Sequence, residues 1–166
     1  LNARLTIPRE QPMTRVESFD EIAEEFVRRA HAIVWCNVAT VDTRGRPRSR
    51  ILHPYWEGRT GWMTTRPDTL KARHLAANAN VSLAYVGDPV YPVYVDGVAA
   101  WEEDIAQKRR VWALFRDAPP PLGYDPGTIF TAPDDPGFGL LRITPRRIEL
   151  GDMMTLQKLV WQERAG

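Results

Sequence analysis

The chain has one cysteine, Cys36, in 166 residues. That excludes an intrachain disulfide framework and a metal centre built from several thiolates. Net charge is almost absent too, at +1 for 22 basic and 21 acidic residues. Long-range attraction to nucleic acid or to a membrane surface is therefore not expected. No apolar run approaches the length of a membrane span and no signal peptide is visible, so the expected location is the cytoplasm. The three histidines, His31, His53 and His74, have no metal-ligand spacing among themselves or with Cys36. Neither a G-x-S-x-G nor an H-E-x-x-H motif occurs, and a Rossmann fingerprint is lacking. The acid pairs Glu102-Glu103 and Asp134-Asp135 fall at a helix start and in a proline-rich loop, where capping and solvation account for them.

What is present is a succession of short strand patterns. The expected organisation is an arm over residues 1–17, one domain over 18–150 and a weakly patterned tail over 151–166, with Trp161 as its anchor. Ser18 and Glu21 form a capping box. Ile22, Ala23, Phe26, Val27 and Ala30 follow helical spacing, which predicts a helix to about Ala32. Residues 33–41 read as a strand with apolar residues on both faces, Trp35 and Cys36 being packing residues. Asp42-Thr43-Arg44-Gly45 is a hairpin signal. On the returning strand, Arg46, Arg48 and Arg50 share one face at period two and repel each other unless water or an anion screens them. Arg46 reads as solvated. Arg50, deeper in the strand and beside Ile51 and Leu52, is the better ligand candidate.

Further strands are expected at 60–65, 81–86 and 90–101. In the last of these, Asp96-Gly97 suggests a bulge or a close backbone approach. A second long helix opens at Glu102-Glu103-Asp104 and carries Trp112 and Phe115 as core or interface residues. Residues 118–137 hold six of the fourteen prolines, so neither regular helix nor regular sheet is expected there. A loop of that length in a compact domain is usually functional or disordered. Tyr124, Ile129 and Phe130 would anchor it as a lid or wall. Two closing strands, 138–144 and 147–150, are separated at Pro145. The expected class is mainly β with a few helices, a small antiparallel barrel.

Residues 64–75 organise the rest. A strand ends in Thr64-Thr65, Pro67 stops the pairing, and Asp68 suits the N-cap of a helix starting at Thr69. Lys71 then lies in the first turn, where the helix end is already partly positive. Amide N–H groups, hydroxyls and one ammonium can converge there on an anion, and a phosphate is the natural guest. The competing interpretation is a solvated surface lysine beside threonines chosen for strand propensity. A phosphate site without catalytic side chains suits a protein whose bound cofactor carries the chemistry.

The ordered set Ala39-Thr40-Val41-Asp42, Gly45-Arg46-Pro47-Arg48-Ser49-Arg50, Trp62-Met63-Thr64-Thr65 and Lys71-Ala72-Arg73-His74-Leu75 resembles the pyridoxamine 5′-phosphate oxidase-like family of FMN-binding split β-barrels. The likeness continues through Val93-Tyr94-Val95-Asp96-Gly97 and ends in Leu141-Arg142-Ile143-Thr144-Pro145 and Arg147-Ile148-Glu149-Leu150. It implies a homodimer with two cofactor sites at the interface and a small-molecule substrate. It also implies cofactor binding by Arg48, Arg50, Ile51, Thr64, Thr65, Thr69, Lys71 and Arg73, with Arg48 or Arg50 offsetting negative charge on a reduced flavin. The family oxidase has a lysine where Tyr55 stands, a glutamine near Pro92, and an arginine and histidine motif not evident after Leu150. Pyridoxamine phosphate as substrate is therefore not implied. The expected function is FMN-dependent oxidoreduction. The alternatives are a deazaflavin (F420) enzyme on the same fold and a flavin- or haem-binding sensor or storage protein.

Overall fold

The computed structural model describes residues 12–164. Residues 1–11 of the expected arm lie outside them. A short strand, β1 (Met13–Val16), comes first. Ser18 then caps a 3-10 turn at Phe19–Glu21, with the reciprocal bonds of the capping box made. The Glu21 carboxylate accepts from the Ser18 amide at 2.7 Å. Helix α1 (Ala23–Ile33) follows and ends at Val34, which has φ 67°. That left-handed residue delays the next strand, β2 (Cys36–Val41), beyond the expected start at residue 33. Its burial alternates from residue to residue, so it is a half-buried strand rather than one covered on both faces. Cys36 is buried, but Trp35 stands 59% exposed and is not the packing residue expected.

Strand β3 (Pro47–Leu52) pairs antiparallel with β2 and sets Arg50 opposite Val38. A three-residue strand that the turn signal concealed, β4 (Tyr55–Glu57), forms a hairpin with β5 (Thr60–Thr65). Helix α2 (Leu70–Ala77), β6 (Asn80–Tyr85), β7 (Val93–Trp101) and α3 (Ile105–Asp117) complete the middle of the chain. The closing segment is one strand, β8 (Gly139–Asp152), rather than two. Pro145 is accommodated because it lies opposite Gly97, where the register shifts between Asp96 and Gly97. The expected bulge is thus real, and it absorbs the residue that cannot donate to the ladder. The backbones approach so closely here that a Cβ on Gly97 would sit 2.5 Å from the Thr144 carbonyl oxygen. The residues expected as a tail form β9 (Gln157–Gln162), with Trp161 buried.

All nine strands belong to one sheet. Its main path is β1-β9-β8-β7-β6-β2-β3, and β5 joins β8 at the other edge. Every pairing is antiparallel except β1 with β9, so the sheet is mixed where an antiparallel one was expected. No hairpin joins β1 to β9, and nothing in the connectivity forces them to run in opposite directions. Buried residues from seven strands, with Phe26 of α1 and Leu75 of α2, form one contiguous core, around which the sheet wraps as a small barrel.

A second apolar cluster joins Trp62, Val111, Trp112, Phe115, Phe130, Phe138 and Leu140. Trp112 meets Phe138 edge-on at 5.1 Å, so the α3 stripe is covered within the chain and needs no partner. The proline-rich loop is irregular apart from a 3-10 turn at Pro126–Thr128, as expected. Its anchors are Leu122 and Phe130, both buried. Ile129, expected as an anchor, is 61% exposed. Among the described residues no helix is long and apolar enough to cross a membrane.

Candidate functional site

The site begins where β5 runs out. Its last residue, Thr65, pairs with Gly139, and the turn Arg66-Pro67-Asp68 leads into α2. Asp68 is not the cap. The Arg66 guanidinium takes its carboxylate in a two-pronged pair at 3.1 and 3.0 Å. Thr69 caps instead: its hydroxyl accepts from the Ala72 amide at 3.4 Å and donates to the Arg66 carbonyl at 3.2 Å. The helix therefore starts at Leu70, and Lys71 is its second residue.

Lys71 is 6% exposed, which is unusual for a lysine. Its ammonium donates to the Thr65 hydroxyl and, at 3.3 Å, to the Thr69 hydroxyl. Both partners are neutral. Burial, and secondarily the Arg50 charge, pull its pKa down from the usual lysine value to about 8. Arg50 reaches the same place from β3. One guanidinium nitrogen donates to the Val38 carbonyl at 3.2 Å and to the Thr40 hydroxyl at 2.8 Å. Thr40 in turn bonds Nδ1 of His74, at 2.9 Å. Among the described residues, no carboxylate pairs with Lys71 or Arg50. Two cations thus lie together beside a helix N-terminus with only hydroxyls and carbonyls for company. Buried charge without a counter-charge is costly, so the arrangement calls for an anion.

A cavity of about 440 Å³ adjoins this group and shares Thr65 with it, Thr64 being a further lining residue. Ile51, Trp35 and His53 form one side, and the proline-rich loop supplies Tyr124, Ile129 and Phe130 for the other. The loop is fastened to the strand by a hydrogen bond between the Tyr124 and Thr64 hydroxyls. His53 sits between Trp35 and Tyr124, at ring separations of 5.1 and 5.4 Å. Its Nε2 is buried without a partner, and burial lowers its pKa, so the ring is neutral at neutral pH. The size and mostly apolar lining suit the planar part of a small organic ligand.

Of the expected site residues, Arg50, Thr65, Thr69 and Lys71 converge on the cation group, and Ile51, Thr64 and Thr65 line the cavity. Arg48 does not join them; it is exposed and pairs with Asp42 at 3.3 Å, back at the hairpin turn. Arg73 is exposed on the side of α2 away from the buried Lys71 and His74. Sequence reasoning missed Thr40, His74, Trp35 and His53. His74 had a usable signal: it follows Lys71 by three residues and so shares its helix face. Thr40 had none without the β2–β3 register. Among the described residues no group of three or more His, Cys, Asp or Glu side chains is placed to hold a metal ion.

Several solved structures share this architecture. A protein from Clostridium acetobutylicum related to general stress protein 26, of the pyridoxinephosphate oxidase family, superposes with a TM-score of 0.65 at 17% identity. That match covers 86% of this chain and 95% of the other. A pyridoxamine 5′-phosphate oxidase-related, FMN binding protein from Nostoc punctiforme gives 0.58 at 15% identity, over 84% and 87% of the two chains. An F420 reductase gives 0.55 at 19% identity, over 75% and 94%. At such identities the likeness speaks for the fold. A search of curated proteins finds no match. The sequence model described as pyridoxamine 5′-phosphate oxidase, however, matches residues 19–151, from the capping box through the shared strand β8. By that match, and with a split barrel around it, the chain belongs to the pyridoxamine 5′-phosphate oxidase family.

Proposed function

We propose that the protein is an FMN-dependent oxidoreductase acting on a small molecule. One observation carries this: buried Lys71 and half-buried Arg50 share a corner at the start of α2 where, among the described residues, no carboxylate pairs with either. A phosphate monoester fits that corner. It would supply the missing negative charge, and Lys71, Arg50, Thr65 and Thr69 would hold it through charge-assisted bonds. Ile51, Thr64 and the cavity beyond them would take the ring system. When bound, FMN supplies hydride transfer. The chain's own share is anchorage by the cations, orientation by the strand-end threonines, and exclusion of water by Trp35, Tyr124 and Phe130. Pyridoxamine phosphate is not proposed as the substrate. Tyr55, which stands where the family oxidase has a lysine, packs against His31 and Phe115.

F420 is the second reading, favoured by the likeness to an F420 reductase. The absorbance spectrum of the purified protein, followed by titration with FMN, F420 and riboflavin, tests both. Flavin bands and a preference for FMN over riboflavin are expected. A deazaflavin or haem spectrum, with no uptake of added FMN, would overturn the proposal.

A further inference from the structure

The two cations of the site repel each other, and Arg50 is only half-buried on a long side chain. Left to itself it would swing into water. Two tethers oppose that, the Val38 carbonyl and the Thr40 hydroxyl, at 3.2 and 2.8 Å. A guanidinium only donates, so Thr40 is the acceptor in that bond. Thr40 is itself 1% exposed, and its one hydrogen needs an acceptor. Among the described residues the remaining bonding partner is Nδ1 of His74, at 2.9 Å. A proton on Nδ1 would strand the threonine hydrogen in the core. The bonds therefore run in one direction, from Arg50 to Thr40 to His74, and His74 carries its hydrogen on Nε2. His74 lies one turn beyond Lys71 on the same buried face of α2. One helix thus provides one cation directly and holds the other at the far end of a hydrogen-bond chain.

We propose that Thr40 and His74 are positioning residues that fix the Arg50 guanidinium toward the bound anion, with His74 acting as a neutral acceptor. This rests on the phosphate assignment of the site. Its benefit is preorganisation: the ligand meets an arginine already ordered and does not have to order it.

The test compares binding of FMN and riboflavin, whose ratio isolates the phosphate. Thr40→Val keeps the side-chain shape and removes the hydroxyl, while Thr40→Ser keeps the hydroxyl. The FMN preference should fall about two- to tenfold in Thr40→Val, the scale of ordering one long side chain, and return in Thr40→Ser. His74→Leu should behave like Thr40→Val, and His74→Asn, with an oxygen near the place of Nδ1, should retain the preference. In an Arg50→Ala background Thr40→Val should change the ratio no further. A purely structural role would weaken both ligands alike and leave the ratio unmoved, which overturns the proposal. An unchanged ratio in Thr40→Val alongside a lost preference in Arg50→Ala would overturn the positioning role and leave the phosphate site standing. A wild type that does not prefer FMN overturns both.

Discussion

Lys71 is held in a state that works against the folded chain. Its folded pKa of about 8 lies below the usual value of 10.5, so the unfolded chain binds more protons between those two values. Stability of the ligand-free protein should therefore rise with pH across that window, and below about pH 8 the full penalty of the buried charge applies. Lys71→Met removes the penalty. Denaturant melts at pH 7 should find the ligand-free variant as stable as wild type or more so, with the gap closing toward pH 10. Function should show the opposite sign. Lys71→Ala is expected to weaken FMN by about 1.5–3 kcal/mol, the scale of a hydrogen bond to a charged group, while riboflavin binds unchanged. Wild-type FMN affinity should decline as pH rises past about 8, and that of the variant should not follow, which a pair of titrations at pH 7 and 9.5 would show. Lys71, Thr65 and Thr69 were legible beforehand because a strand end, a proline and a capped helix are local signals. Even there the cap moved by one residue, since Arg66 claimed the Asp68 carboxylate. Thr40, Trp35 and His53 were not legible, because each owes its place to strand register or to a loop folding back from far along the chain.

At the scale of elements, the loop over residues 118–137 is the part whose role depends most on packing. Its prolines reduce the freedom it loses on ordering, Leu122 is buried, and Tyr124 and Phe130 bind it to α3 and β5. It should resist limited proteolysis, more so with cofactor bound. Tyr124→Ala should alter substrate kinetics more than FMN affinity; rapid cleavage regardless of cofactor, with unaltered kinetics, would make the loop a spacer. The β7–β8 bulge allows a sharper test. Gly97→Ala would press a methyl group against backbone rather than a yielding side chain, and should destabilise by about 1–3 kcal/mol in thermal or denaturant unfolding. The bulge was readable from Asp96-Gly97, but the continuity of β8 through Pro145 was not, because a proline alone reads as a break. β4 and β9 escaped notice for different reasons. One is three residues long beside a turn, and the other has a weak alternation of exposed and buried residues.

At the scale of the whole molecule, apolar side chains remain uncovered at one end of the sheet. Tyr91, Tyr94, Met153 and Leu159 are all exposed, and the Met153 amide donates to the Val90 carbonyl at 2.8 Å, so the two loops there are joined. We expect this face to pair with a second copy. Light scattering at micromolar concentration should give twice the 18.9 kDa mass of the chain, and a monomer that still binds cofactor tightly would contradict it. The barrel itself was foreseeable from its many short strands, whereas the parallel β1–β9 edge was not, because no hairpin announces it. The long strand β8 ties these parts together. It bonds β7 along nearly its whole length, β5 through its first half and β9 through its second. Detaching it would cut β5 and β9 loose from β7 at once, so β8 cannot melt and leave the rest of the sheet joined. In hydrogen–deuterium exchange, the amides of Leu141, Ile143 and Ile148 should be among the last to exchange, at a rate set by global unfolding, while those of β1 and β3 exchange through local fraying.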